Sequence, residues 1–578
     1  MDQKLENLLN ISLSVTDQEL NSTPELSAGV DTQTDTFELI LKYTGDFQTI
    51  LYKFPQIKGT ELLCNYAIAI SPRESVEILA RDEQIIYVEK SKYYYYTDVV
   101  ESEQSQDNAQ INNTSELQGN TRNNSNTPLT GKGVLCAIID SGIDIESPEF
   151  RDEQGNSRID WLWNQDVDDN IYNAGRISRM TSDILGTQYN NAEINEAIAQ
   201  GIELAPDTIG HGKYVARVAA GNNGVAGGSR LIVVKLGVSR RNGFPRTTQV
   251  MLGIDYAVRK ALEANKPIAI NLSFGNNYGA HDGNSILERY IDEVSMVGQS
   301  CICIGAGNEA LGRIHASAVV NEADETEIEL TVGNGETGLT LQIWLCYQDE
   351  MMITLTSPSG ISNIITSPDA ISEGEIRRFS FGATQVIVYN GAPSPYSTRQ
   401  EVYVDFNWDS GNVPMGIWKI NITPISIKCG RLDIWLPTYA GLAMDTGFTR
   451  SDKNLTMTIP AYSRRAITVG AFDSNSNRYA EFSGRGYVGE AGAEMLVKPD
   501  IVAAGVDINV GGNIRVTGTS YAVAHITGIA ALEMERGIVR GEDAYMFGEK
   551  VKAKLIKDAR SVAGESMPSE KTGWGRIE

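Results

Sequence analysis

The sequence predicts an α/β protein: a doubly wound, mostly parallel sheet, interrupted by an inserted all-β domain of jelly-roll type and preceded by a small α+β domain. Three observations carry this expectation. Continuous apolar runs, such as Val134–Ile139 and Ile268–Leu272, alternate with helical patterns, as strands buried on both faces by crossover helices require. Between about Gly312 and Asp452 the pattern changes to two-residue alternation, with Gly, Pro, Asn and Ser in the gaps, the mark of many short antiparallel strands. Ahead of both, residues 36–97 hold a few strand patterns around one short helix.

In chain order, residues 1–34 are polar and are expected to be loose. Strand patterns follow at Thr36–Tyr43 and Glu61–Ile70, a helix at about Arg73–Asp82, and a strand at Gln84–Lys90 before the aromatic run Tyr93–Tyr96. Residues 101–128 are rich in Asn, Gln, Ser and Thr without apolar period, and read as a solvated linker. The large sheet opens with Val134–Ile139 and continues through Leu231–Leu236, Ile268–Leu272, Cys301–Ile304 and Ile467–Ala471. Helices are expected over Asn191–Leu204, His211–Ala220, Gln249–Ala264, Ser285–Val297 and Ser520–Glu535. The inserted strands include Thr326–Val332, Thr340–Cys346, Arg378–Val388, Glu401–Phe406 and Gly416–Ile422. The expected division is 1–97, a linker at 98–130, a two-part α/β domain at 131–311 and 453–578, and the β-insertion at 312–452.

Composition excludes several function classes. The chain has 578 residues, 41% hydrophobic and 21% charged, so a large core is expected. Its 74 acidic against 49 basic residues give a net charge of −25, which opposes binding to a phosphate backbone. No nucleic-acid partner is expected. Six cysteines are too sparse for a disulfide scaffold, and Cys301 and Cys303 sit in an apolar run that reads as core. No apolar run reaches the length of a membrane span. The start, Met1-Asp2-Gln3-Lys4, lacks the basic and apolar stretches of a signal peptide, so synthesis in the cytoplasm is expected.

Three segments place a reactive side chain beside glycine. Asp140 ends the first buried strand of the sheet in Asp140-Ser141-Gly142, where α/β folds build their sites. His211 lies between Gly210 and Gly212 at the head of a helix, one of only four histidines. Ser520 follows Gly518-Thr519 and opens a small-residue helix, whose N-terminus favours developing negative charge. Each alone reads more readily as a cap or a turn. Together they give Asp, His, Ser in one order of the nucleophile–base–acid triad. Asn308, after Gly305-Ala306-Gly307, adds an amide able to donate to an oxyanion.

These motifs resemble the subtilases, and most of all the Csp germination proteases of clostridial spores. The match lies in Asp140–Asp144, Gly210–Gly212, Gly307–Glu309 and Gly518–Ser520, within about 131–311 and 452–578. The resemblance implies a serine endopeptidase of subtilisin fold. Asp140 would orient the imidazole, His211 would act as general base and then acid, Ser520 as nucleophile, and Asn308 with the Ser520 N–H as oxyanion hole. Asn271–Gly275 resembles the strand that pairs with substrate, so Ser273, Phe274 and Gly275, with Gly305, Ala306 and Gly307, are the expected substrate-binding residues. Residues 36–97 resemble a propeptide that is cut near Tyr94–Asp98 and stays bound in cis. The substrate implied is a protein, the zymogen of a spore cortex-lytic hydrolase, with packaging in the spore. No metal or cofactor is implied.

The sequence departs from the family at Lys213, Tyr214 and Arg217, just after the imidazole, and at Ala524, where a proline is usual. A buried Arg217 needs an exit or an acidic partner. These changes keep alive an alternative: a pseudoprotease acting as germination sensor or binding partner. Glu309 suggests a charged edge to the specificity pocket. Asp166, Asp168 and Asp169 read as a solvated acidic loop rather than a Ca²⁺ site, and Gly221–Gly228 lacks the Lys-Ser/Thr of a phosphate loop.

Overall fold

The structure, a computed structural model, describes residues 4–21, 23–96, 128–166, 186–237, 244–368, 372–406, 411–491, 494–512 and 514–578. The expected linker, apart from 128–130, and Asp168 and Asp169 lie outside these residues.

Among the described residues nine strands form the central sheet. In chain order they are β1 Leu135–Asp140, β2 Ile159–Asn164, β3 Thr187–Asn190, β4 Arg230–Lys235, β5 Ile268–Leu272, β6 Ser300–Gly305, β7 Ile467–Asp473, β8 Arg478–Tyr479 and β9 Ile501–Ala504. The order is β8-β7-β6-β5-β1-β4-β2-β3, with β9 on β7. Only β8 and β3 run antiparallel to their neighbours. Strands β1, β5 and β6 are buried throughout, which is why each reads as an unbroken apolar run. Leu272 pairs with both Ile139 and Ile304, so the carboxyl ends of β6, β5 and β1 are level and adjacent.

Helix α1, His211–Ala220, packs beside α4, Thr519–Met534, with α2 (Thr247–Ala264) and α3 (Ile286–Val294) on the far face. Ser285 caps α3 in a reciprocal pair with Glu288. Helix α4 is buried on nearly every side, so its sequence is small and apolar all round rather than amphipathic. It runs unbroken through Ala524. The helix after β3 ends at Gln200, four residues before the expected Leu204, because Gly201 turns left-handed there (φ 65°).

Residues 315–448 form two antiparallel sheets of six and five strands around one core that contains Trp418, Leu330, Ile343 and Val404. Trp418 meets Phe406 edge-on at 5.0 Å. Cys346 and Cys429 form a disulfide there, while Cys136, Cys301 and Cys303 are free and buried. Asp349 lies close to that sulfur pair. Its carboxylate already accepts from the N–H groups of Lys428, Cys429 and Gly430 at 2.6–2.8 Å.

The N-terminal domain holds a five-stranded sheet. The expected strand Glu61–Ile70 is two strands, Lys58–Leu62 and Tyr66–Pro72, because Cys64 and Asn65 adopt left-handed backbone (φ 61° and 57°) and fold the chain back. One face of this sheet, with Ile40, Tyr66, Ile68 and Tyr87, shares a core with Tyr256, Ile286 and Tyr290 of α2 and α3. Tyr66 donates to Glu293 at 2.9 Å, and Asp255 accepts from the Leu63 N–H at 2.7 Å. Residues 1–34 are not loose where described. Asn7–Ser14 is a helix, and Leu8, Ile11 and Leu26 pack on Ile387, Tyr389 and Tyr403 of the β-insertion.

A buried charge cluster joins the two domains. Lys92 Nζ bridges Glu6 and Glu89 at 2.7 and 2.8 Å, beside Glu401, which accepts from Asn7 at 2.8 Å. Burial pushes the Glu401 carboxyl up to about 7, helped by Glu6 and opposed by Asn7 and Lys92. A carboxyl raised on folding stabilises the fold below its ordinary value near 4.5, and this contribution is lost as pH climbs through about 7. Thermal unfolding from pH 5 to 8 is therefore expected to fall less steeply in Glu401→Gln than in wild type. The difference should be about 2 °C in Tm; parallel curves would contradict it.

Candidate active site

Asp140 is the last residue of β1 and is 1% exposed, as is His211. Its Oδ1 accepts from the Ser141 N–H at 2.7 Å and lies 2.6 Å from His211 Nδ1. A carboxylate only accepts, so the imidazole proton sits on Nδ1 and Nε2 is the basic nitrogen. The pair is held by local chain chemistry. Gly210 caps α1 with φ 89°, which only glycine adopts at no cost. Gly212 passes so close to Gly142 that a side chain would overlap its carbonyl. Asp207 clips the two segments together. It accepts from Ser141 Oγ at 2.8 Å, the Gly210 N–H at 2.7 Å and the Lys213 N–H at 2.8 Å. Ser141 Oγ in turn accepts from the Gly212 N–H at 2.9 Å. One carboxylate thus fixes the residue after Asp140 and the chain on either side of His211.

Ser520 occupies the first turn of α4, buried, with Oγ 3.4 Å from the Ser273 carbonyl at the end of β5. The His211 ring lies against the same turn, 6.1 Å from the Tyr521 ring centre. Asn308 follows β6. Its Oδ1 accepts from both the N–H and the hydroxyl of Thr519 at 3.0 Å. A backbone N–H can only donate, so this contact identifies the oxygen end of the amide and turns Nδ2 away from Thr519. The Gly307 N–H donates to the same hydroxyl at 3.1 Å. Asn308→Ala should lower kcat about 10²–10³-fold while KM changes little, as loss of a donor used in the transition state requires. Steady-state kinetics on a peptide ester check this; an unchanged kcat would exclude the role.

The cleft is occupied by the chain itself. Tyr95–Tyr96 pairs antiparallel with Phe274–Gly275, Tyr95 facing Gly275 and Tyr96 facing Phe274. On the other side Tyr93 bridges Arg246, and the Tyr94 N–H donates to the Pro245 carbonyl at 2.9 Å. The Tyr94 ring meets Phe274 edge-on at 5.7 Å. Residues 93–96 thus form the middle strand of three, as an extended peptide laid into a sheet edge does. Gly305, Ala306 and Gly307 line the opposite wall, with the Ala306 N–H bound to Val469 at 2.9 Å. All ten residues expected at the site come from the carboxyl ends of β1, β5 and β6 and the first turns of α1 and α4.

Comparison with known proteins agrees with this geometry. A family model described as the subtilase family matches residues 131–410 and 446–575. The chain belongs to the subtilase family. It is a subtilisin-like serine endopeptidase. A second model, described as the Csp protease B prodomain, matches residues 3–92, so this subtilase carries a cis prodomain and acts on protein. The structure of the CspB protease of Clostridium perfringens is 31% identical, covers 78% of this chain and 92% of its own, and aligns with TM-score 0.69. Fervidolysin from Fervidobacterium pennivorans, described as a keratinolytic enzyme related to subtilisin, is 13% identical over 94% of this chain and 60% of its own, with TM-score 0.45. Sphericase is 15% identical over 80% and 97%, with TM-score 0.41. A search of curated proteins gives no match.

The residues in which this subtilase departs from its family do not displace the imidazole. Arg217 leaves the helix sideways and donates to the Val510 carbonyl at 3.1 Å, an exit with no acidic partner among the described residues. Lys213 Nζ lies 5.0 Å over the Tyr214 ring. Glu309 corrects an expectation. It is buried and turned from the cleft, accepting from the Tyr439 N–H at 2.7 Å, and burial raises its carboxyl to about 7. Asp166 pairs with Lys235 at 2.6 Å. The other histidines are structural: His281 and His315 stack on the two sides of Trp435 at 4.3 and 4.7 Å, and His525 is buried in α4. Sequence reasoning missed Asp207 and the grip of Thr519 on Asn308. Only the Asp-x-x-Gly spacing before His211, which suits an Asx turn, could have pointed to Asp207.

Proposed function

We propose that this subtilase cleaves its own chain and then a protein precursor by acyl-enzyme chemistry, with Asp140, His211, Ser520 and Asn308 as the working groups. Ser520 Oγ attacks the carbonyl while His211 Nε2 takes its proton. The Asp140 carboxylate stabilises the imidazolium, and the tetrahedral oxyanion is met by Asn308 Nδ2 and the Ser520 N–H. Collapse breaks the C–N bond, His211 returns the proton to the leaving amine, and water then releases the acyl group with His211 again as base.

One observation carries the reading: the 2.6 Å Asp140–His211 contact stands beside Ser520 in a cleft already filled by residues 93–96. Phe274, the partner of Tyr96, is preceded by Ser273, whose carbonyl meets Ser520 Oγ. The self-cleaved bond is expected near Tyr94–Asp98, of which Thr97 and Asp98 lie outside the described residues. The prodomain shares its core with α2 and α3 and is expected to remain bound after the cut.

The likeness to a Csp protease supports a role in spore germination, with a cortex-lytic zymogen as substrate and the spore as the place of action. Incubating the purified chain with that zymogen should give one defined cut, lost in Ser520→Ala. An intact zymogen beside an enzyme that cleaves peptides would remove the germination role and leave the chemistry.

A further inference from the structure

Two glycines face each other across the cleft. Gly275 ends the wall that pairs with the bound strand, and Gly307 lies on the opposite wall. The space both leave empty is taken by one side chain. A Cβ on Gly275 would overlap Thr458 Oγ1, and one on Gly307 would lie 2.7 Å from that oxygen and 2.8 Å from Thr458 Cγ2. Thr458 is 1% exposed. Its N–H donates to the Ala306 carbonyl at 3.1 Å and its carbonyl accepts from Ala461 at 2.8 Å. The next residue, Ile459, exchanges hydrogen bonds with Asn276 at 2.8 and 3.1 Å. Thr458 is therefore tied to both walls at once, and its backbone cannot swing aside to deepen the gap.

Resting on the peptidase reading of this cleft, we propose that Thr458 floors the pocket between Ser273–Gly275 and Gly305–Gly307. It restricts the residue before the scissile bond to small uncharged side chains: Gly, Ala, Ser or Thr. A leucine or phenylalanine there must overlap the Thr458 methyl, and packed interiors resist such overlap. A lysine or arginine would be buried without a counter-charge, since the neighbouring Glu309 is committed to Tyr439.

Self-cleavage of the full chain tests this. Once the cut is mapped, the residue preceding it is changed to Ala and to Phe. The Ala variant should process at the wild-type rate and the Phe variant at least about tenfold more slowly, the discrimination expected of a pocket that excludes bulk. Thr458→Gly should restore processing of the Phe variant at least about tenfold. Thr458→Ser, which deletes one methyl and keeps the hydroxyl bonding, should restore it in part and guards against a folding defect. A Phe variant that processes as fast as wild type overturns the inference. So does a Thr458→Gly or Thr458→Ser chain that cuts the wild-type sequence but rescues nothing. A wild-type chain that stays whole overturns the self-processing reading instead.

Discussion

Ser520→Ala is expected to lower turnover of a peptide substrate by on the order of 10⁶, the loss typical when a triad nucleophile is removed. The fold should hardly notice. Among the described residues Ser520 Oγ makes one long contact, 3.4 Å to the Ser273 carbonyl, and alanine is readily accommodated in a helix. Thermal unfolding should therefore be unchanged within about 2 °C. Residual catalysis over water, about 10³–10⁴, would come from Asn308 and the bound geometry. A variant that keeps wild-type turnover would exclude Ser520 as nucleophile; one that unfolds would show the hydroxyl to be structural.

Asp140→Asn is expected to cost about 10⁴ in kcat, with KM nearly unchanged because no contact to the substrate strand is lost. The asparagine oxygen can keep both bonds that Oδ1 now makes, to Ser141 N–H and His211 Nδ1. What disappears is the negative charge facing the imidazolium. At 1% exposure that charge is poorly screened. The amide also places an NH₂ where Asp140 Oδ2 is buried with no hydrogen-bond partner, leaving a donor unsatisfied. A loss of tenfold or less would mean that Asp140 holds the imidazole by shape alone.

The parts of this subtilase written in local sequence were legible, and those made by distant contacts were not. Five strands of the central sheet, β1, β4, β5, β6 and β7, read as apolar runs because both faces are covered, whereas β2, β3, β8 and β9 are short or mixed in pattern and went unread. Gly-His-Gly and Gly-Thr-Ser announced helix starts because their glycines are sterically required. By contrast, the helix at Asn7–Ser14 is too short for a clear period, and Leu8 and Ile11 find their partners on Tyr389 and Tyr403. Cys346 and Cys429 are 83 residues apart, and nothing short of the sheet register brings them together. Glu309 follows Asn308 in sequence, yet adjacency does not say on which side of the wall a carboxylate falls. Thr458 carries no motif at all. Its place follows from two glycines in distant segments that leave room for it.

The intact mass of the freshly purified chain tests the central claim most directly. A working relay from Asp140 through His211 to Ser520 predicts two polypeptides whose masses sum to the whole chain plus one water, divided near Tyr94–Asp98, while Ser520→Ala gives a single uncut mass. One undivided mass in both proteins, or the same two fragments in both, would contradict it.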